Sequence, residues 1–270
     1  MALPETTHLR LEREGSVLHA TLDRPDARNA LNQALVGDIS RTFEAIRDDR
    51  EIRTVVLRGA GGHFCAGADL KEVSQSSNTG TDAERRQAIS DYSRGFGTLL
   101  RQIDGAPQAV VVVIEGAALG GGFGLVCVSD VAIIARDARM GMPETRRGLP
   151  PAQIAPFVVE RIGLTQTRRI GVCGAMIDGA EAVELGVGHY LADDSAACDE
   201  RLADVLKQIG QCAPGANAAT KDIMQKVGQV DMDQILDDAA ESFVDCLMGE
   251  EGREGTRAFI EKRQPEWVGQ

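Results

Sequence analysis

The run Ala109–Ile114 consists of six consecutive apolar residues, five of them β-branched. An unbroken run of this kind is typical of a strand that is covered on both faces. Upstream, a hairpin is predicted from two strand-like segments on either side of a glycine, Leu9–Glu14 and Ser16–Leu22. A helix is predicted after Asn32, a candidate N-cap, because apolar residues follow it at helical spacing. A further strand is predicted over Thr54–Arg58. Strand, helix and strand in this order imply parallel pairing through a crossover, so we expect an α/β fold.

Further elements are predicted along the rest of the chain by the same patterns. They are a helix over Asp82–Ile103 after the Ser-rich stretch Val73–Thr81, a glycine turn and helix over Gly116–Ser129, a strand over Asp130–Ala135, helices over Ala152–Ile162, from about Thr165 and over Gly179–Leu185, and a strand over Val187–Leu191. Beyond about Asp194 only helical patterns remain. We therefore divide the chain into an α/β core, residues 1–193, and a helical region, residues 194–270, of a size that can pack on its parent or on a neighbour.

The charge balance limits the class of partner. With 41 acidic against 29 basic side chains the net charge is −12, which disfavours nucleic acid and anionic lipid as main partners. The N-terminus carries charges where a signal peptide would be apolar, and Glu115 and Asp130 interrupt the longest apolar stretch, so we expect a cytoplasmic protein without a membrane span. The four His and six Cys show no ligand spacing, so neither a metal site nor a disulfide framework is expected.

Two glycine-rich turns, GAGGHFCAGADL at 59–70 and EGAALGGGFGL at 115–125, each follow a predicted strand directly. Glycine lets ligand atoms approach the backbone, where N–H groups stabilise negative charge, and two such turns can hold one oxyanion between them. Taken singly, each turn is also explained by tight turns and close packing of helix on strand. The chain contains no GxxxxGK, HExxH or GxSxG pattern, which removes the basis for nucleotide hydrolase, zinc peptidase and serine hydrolase readings.

Five segments together resemble the crotonase superfamily, also called the enoyl-CoA hydratase/isomerase family. They are DRPDARNALN at 23–32, HFCAGADLKE at 63–72, ALGGGFGL at 118–125, MPETRRGLPP at 142–151 and GTRAFIEKRQPEW at 255–267. The resemblance implies a repeated ββα spiral core with a C-terminal helical trimerisation region, and a homotrimer or dimer of trimers. It also implies an acyl-CoA thioester as substrate, with coenzyme A as part of that substrate rather than a separate cofactor.

The resemblance also assigns candidate catalytic groups by motif position. Two backbone N–H groups, at Ala68 and Gly121, would bind the thioester carbonyl as it becomes an enolate oxygen, which is the role of an oxyanion hole. Family hydratases usually bring two Glu carboxylates to the reacting carbons. Here the second is present as Glu144, but the first position is Gly124. We expect Gly124 to leave room near the substrate's C3.

Coenzyme A needs positive charge for its phosphates and a cage for its adenine. The motif positions suggest Arg24, Arg28, Ala66, Asp69, Leu70, Phe259 and Lys262 for these contacts. Two alternatives remain open within this set. The basic side chains are equally consistent with solvated surface charge, and Asp69 is better explained as a cap of its turn than as a ligand.

The expected activity is hydration of a 2-enoyl-CoA, a lyase reaction in acyl-CoA catabolism. RRGLPPAQIAPFVVERIG, after Glu144, resembles hydratases of 3-branched glutaconyl-CoA thioesters in terpene or leucine degradation, of the isohexenylglutaconyl or 3-methylglutaconyl type. A glutaconyl substrate carries a second carboxylate, and Arg146 or Arg147 could face it. The alternatives are a Δ3–Δ2-enoyl-CoA isomerase, which also needs one carboxylate, and a non-catalytic CoA-binding scaffold.

Overall fold

The computed structural model describes residues 3–72 and 80–269. Residues 73–79 of the predicted Ser-rich stretch lie outside this description. The strands are β1 Leu9–Glu14, β2 Val17–Leu22, β3 Thr54–Gly59, β4 Ala109–Ile114, β5 Ala117–Leu119, β6 Val131–Ala135, β7 Arg139–Gly141, β8 Met176–Asp178 and β9 Tyr190–Ala192. The helices are α1 Gln33–Ile46, α2 Asp82–Asp104, α3 Gly121–Cys127, α4 Ala155–Cys173, α5 Gly179–Glu184, α6 Ser195–Ile209, α7 Pro214–Gln225, α8 Met232–Met248 and α9 Glu250–Glu261.

The main sheet has six strands in the order β1-β2-β3-β4-β6-β9. β1 and β2 form the predicted hairpin, and every other neighbouring pair is parallel. Every residue of β4 is buried, which confirms that this strand is covered on both faces. The crossover helix α1 begins as predicted, because the Asn32 side chain accepts a hydrogen bond from Leu35 N at 2.9 Å. The carboxyl ends of these parallel strands lead directly into both glycine-rich turns.

A second, three-stranded sheet in the order β5-β7-β8 lies beside those turns. Each of its strands is three residues long, too short to show the alternation that identifies a strand in sequence. The sequence therefore predicted only a turn at β5. This sheet fixes the second glycine turn, because Gly120 N donates to Gly141 O of β7 at 2.9 Å.

The predicted elements between 152 and 192 are shifted in the structure. α4 begins three residues later than predicted, and it bends at Gly163, where φ is +74°, close to the predicted boundary between two helices. A φ in this region is readily adopted only by glycine, so the helix changes direction there. The last strand is displaced from Val187–Leu191 to Tyr190–Ala192.

Every named element between Ser195 and residue 269 is a helix, as predicted. α7 is fastened to the core by Lys221, whose Nζ donates to Gln108 O at 2.8 Å and pairs with Asp130 Oδ2 at 2.7 Å. No helix among residues 3–72 and 80–269 is long and apolar enough to cross a membrane. The division of the chain at 193/194 stays a prediction.

Candidate active site

The two glycine-rich turns are in direct contact. Cys65 N donates to Ala117 O at 2.8 Å, and Leu119 N donates to Cys65 O at 2.9 Å. Gly67 has a φ of +94°, and a Cβ placed there would lie only 2.9 Å from Leu119 O. A side chain at Gly67 would therefore push the two segments apart. This close backbone approach places Ala68 and Gly121 on adjoining turns.

The N–H groups of Ala68 and Gly121 are both available as donors. Gly121 is the first residue of α3, and the first N–H groups of a helix have no acceptor inside it. In the part of the chain that the structure describes, Ala68 N donates no backbone hydrogen bond. Neighbouring unpaired N–H groups can stabilise an oxyanion. Their catalytic role stays a prediction.

Glu144 lies beside these donors, in the short 3-10 helix Pro143–Arg147. Its Oε1 is so close to Gly120 that a Cβ there would collide with it. Its Oε2 is buried and has no hydrogen-bond partner among residues 3–72 and 80–269. Burial raises the pKa of Glu144, while its own backbone N–H and the positive charge of Arg147 oppose the rise. A buried, unpaired carboxylate of raised pKa next to two free N–H donors can serve as a general base.

Asn29 joins the first motif to the first glycine turn, a role that the sequence analysis missed. The Asn29 side chain is fully buried; its Oδ1 accepts from Arg24 N at 2.8 Å, and its Nδ2 donates to His63 O at 2.7 Å. Its φ is +56°, a conformation that Asn tolerates better than most residues. An Asn within the polar segment DRPDARNALN was the available signal.

Five of the predicted CoA contacts gather around this junction: Arg24, Arg28, Ala66, Asp69 and Leu70. Arg24 Nη2 pairs with Asp69 Oδ2 at 2.9 Å, and Ala66 N donates to Arg28 O at 2.9 Å. Asp69 Oδ1 also accepts from Lys71 N at 3.3 Å, the capping role expected for it. Arg24 is already engaged by Asp69, whereas Arg28 and Leu70 are exposed.

Phe259 and Lys262 do not join this group within one chain. Phe259, on α9, is 84% exposed, and Lys262 follows that helix as an exposed residue with a φ of +57°. The following segment is anchored at the opposite end of β3, where Arg53 Nη1 donates to Trp267 O at 2.7 Å. A single copy of the protein therefore does not place these two side chains on Arg24 or Ala66.

The space predicted beside Gly124 is occupied. A Cβ at Gly124 would lie 2.5 Å from Ile154 Cγ2 and 3.5 Å from Leu100 Cδ1. Ile154 is 3% exposed and precedes α4. The expectation that Gly124 leaves room for the substrate is therefore wrong: an apolar side chain from the segment after Glu144 fills that place. The sequence could not show this, because the contact joins residues 30 positions apart.

Within the described ranges, 3–72 and 80–269, no group of three or more His, Cys, Asp or Glu side chains could hold a metal ion. The polar groups that meet at the site are two backbone donors and one carboxylate. This set can stabilise an enolate and move a proton at an adjacent carbon.

Comparison with known proteins gives the class to which this fold and site belong. Residues 12–270 match the enoyl-CoA hydratase/isomerase family, and the chain belongs to that family. The structure is similar to Pseudomonas aeruginosa AtuE, with a TM-score of 0.93 and 49% identity over 97% of this chain and 100% of that one. It is also similar to an enoyl-CoA hydratase/isomerase from Marinobacter aquaeolei, with a TM-score of 0.94 and 46% identity over 97% and 99% of the two chains.

Curated relatives agree with this assignment. The human mitochondrial enoyl-CoA hydratase domain-containing protein 2 is 32% identical over 253 residues, which are 92% of this chain and 84% of that protein. The predicted crotonase-type α/β fold is confirmed. Members of the family act on acyl-CoA thioesters by hydration or isomerisation.

Proposed function

We propose that this protein adds water to the double bond of a 2-enoyl-CoA thioester. The observation that carries the proposal is the unpaired Glu144 carboxylate beside the free N–H groups of Ala68 and Gly121. Glu144 removes a proton from water as the oxygen attacks C3, and the electron pair moves to the thioester oxygen, held by the two donors. The same carboxyl then returns the proton to C2, so that one water adds across the bond.

The substrate that we propose is a 3-branched glutaconyl-CoA, of the isohexenylglutaconyl or 3-methylglutaconyl type. The segment that follows Glu144, RRGLPPAQIAPFVVERIG, supports it by its resemblance to that group of hydratases. The same segment supplies Ile154, which occupies the place beside Gly124 where other hydratases carry a carboxylate. An apolar wall there suits an alkyl branch better than a second charged group would.

We further propose that the protein works in the cytoplasm as a homotrimer or a dimer of trimers, with coenzyme A bound as part of the substrate. The exposure of Phe259 at 84%, together with Ile260 at 73% and Leu247 at 48%, supports this arrangement, because a group of exposed apolar side chains marks a surface for contact with a partner. A neighbouring copy would then bring Phe259 and Lys262 to the CoA contacts that one chain leaves incomplete.

A panel of enoyl-CoA thioesters tests the reaction. Straight-chain, 3-methyl-branched and 3-alkylglutaconyl thioesters are incubated with the purified protein, the conjugated-thioester absorbance is followed, and the products are identified. Loss of absorbance with a 3-hydroxyacyl product supports hydration, and the proposed substrate predicts the highest kcat/KM on the 3-alkylglutaconyl thioester.

The second candidate is a Δ3–Δ2-enoyl-CoA isomerase. The presence of one carboxylate at the site favours it as much as hydration, since one base can remove a proton at C2 and return it at C4. A 3-enoyl thioester that gains conjugated absorbance without forming a hydroxyacyl product would replace hydration by this reaction. A scaffold role would leave every thioester of the panel unchanged.

A further inference from the structure

The side chains after Glu144 point in different directions. Their directions show which of the two neighbouring arginines, Arg146 or Arg147, lies on the same side as Glu144. Thr145 Oγ1 donates to Gly171 O of α4 at 3.0 Å. The Arg146 side chain lies against Gly174, where an added Cβ would be 2.9 Å from Arg146 Cγ and 3.1 Å from its Nε. Thr145 and Arg146 therefore both face the end of α4, away from Gly120 and Glu144.

Arg147 faces the same side as Glu144. Pro143–Arg147 is a 3-10 helix, and this helix has about three residues per turn, so side chains at positions i and i+3 align. Arg147 is exposed, and within residues 3–72 and 80–269 no carboxylate forms an ion pair with it. Its positive charge also lowers the pKa of Glu144 against the effect of burial. A guanidinium without an ion pair among the described residues thus lies on the same side of the 3-10 helix as the Glu144 carboxylate.

We infer that Arg147 binds the second carboxylate of a glutaconyl-type substrate and thereby determines the preference for dicarboxylic thioesters. The inference rests on the proposed function. In such a substrate the carboxymethyl group is attached to C3, the carbon that receives water beside Glu144. Two carboxylates then lie within a few bond lengths in a partly buried site, where their repulsion is strong. A guanidinium on the same side offsets it with two parallel hydrogen bonds.

The experiment measures kcat/KM for 3-methylglutaconyl-CoA and for its neutral analogue 3-methylcrotonyl-CoA, and takes their ratio. Arg147→Met should lower the ratio by about 10-fold to 100-fold, the loss expected for a hydrogen bond to a charged group. Arg147→Lys, which keeps the charge, should recover part of the ratio. The matched control is Arg146→Met, which should change the ratio by no more than about twofold, as is usual for surface substitutions.

A second readout separates a direct electrostatic role from a structural one. On 3-methylcrotonyl-CoA, Arg147→Met should move the acid limb of the pH profile to higher pH, because the nearby positive charge no longer favours ionised Glu144. An unchanged ratio in Arg147→Met, or an equal loss in Arg146→Met, would overturn the inference while the hydratase function stands. Failure of the unaltered protein to hydrate any 3-alkylglutaconyl thioester would overturn the proposed substrate and the role of Arg147 together.

Discussion

Glu144 is a half-buried carboxylate whose two oxygens have different surroundings. One oxygen lies against Gly120 of the second glycine turn, and the other is buried with no hydrogen bond from any residue that the structure describes. An unsatisfied buried acceptor lowers stability by about 1–3 kcal/mol, so a chain retains it when a bound molecule supplies the partner. A substrate water in front of Oε2 would be that partner.

Replacement of this carboxylate tests its role. Glu144→Gln should lower kcat on the preferred thioester by at least about 100-fold, because the amide cannot accept the proton. The acid limb of the wild-type pH profile should lie above the ordinary Glu pKa, since burial raises the pKa of Glu144 and the base is lost as pH falls through that value. The variant should still bind CoA esters, and its melting temperature should be unchanged. Near-normal turnover would remove Glu144 from the mechanism.

A substitution at Gly124 tests how closely Ile154 packs against α3. Gly to Ala inside a helix normally stabilises a protein by about 0.5–1 kcal/mol. At Gly124 the new Cβ would lie 2.5 Å from Ile154, and overpacking costs about 1–3 kcal/mol, so the second effect should prevail. Gly124→Ala should therefore lower the free energy of unfolding in denaturant titrations. In an Ile154→Ala background the same substitution should be neutral or stabilising; an identical loss in both backgrounds would show that Ile154 is not the obstacle.

At the scale of elements, the helices and strands with a long hydrophobic pattern were predicted from the sequence, and the short strands without such a pattern were missed. β4 was predicted because its burial gives an unbroken apolar run, and α1 because its cap and its apolar spacing agree. β5, β7 and β8 have three residues each, and they depend on one another and on the glycine turns rather than on local preference. The candidate site was predicted from motif resemblance, whereas Asn29 and Ile154 make contacts with residues distant in sequence.

Several charged side chains lie close together in the partly buried contact between α7 and the core. Asp104, at the end of α2, has its pKa raised to about 6, first by burial and then by the charges of Glu160 and Asp130, against the opposing effect of Lys221. Gln225 of α7 donates to the Asp104 backbone carbonyl. Ionisation of Asp104 therefore destabilises the packing of α7 on the core.

This gives a pH-dependent prediction for Asp104→Asn. The pKa is raised in the folded state, so the contribution of Asp104 to stability is lost as pH rises through about 6. The Asn variant should melt roughly 2–4 °C higher than wild type above that pH, the shift for about 1 kcal/mol in a chain of this size. The gain should fade as pH falls toward 4. Asp91→Asn, an exposed change on the same helix, is the control, and a pH-independent gain would contradict the explanation.

At the scale of the whole molecule, the helical region presents apolar side chains that one chain does not cover. They include Phe243 at 67% exposure, Leu247 at 48%, Phe259 at 84% and Ile260 at 73%, all on α8 and α9. The core also exposes a few apolar side chains, such as Leu164 at 59% and Val172 at 76% on α4, but most of its apolar side chains are buried in one cluster. The proposed assembly and the incomplete CoA contacts are thus located on the same two helices.

Phe243→Glu tests this connection. A charge placed in the proposed interface should dissociate the assembly, measured by analytical ultracentrifugation, because an unpaired charge is costly to bury. The dissociated protein should show a raised KM for CoA thioesters, since Phe259 and Lys262 of a neighbour no longer complete the contacts. Leu164→Glu, at a site 59% exposed on α4, should leave the assembly intact. If Phe243→Glu dissociated the protein with KM unchanged, the neighbour would form the assembly without contributing to substrate binding.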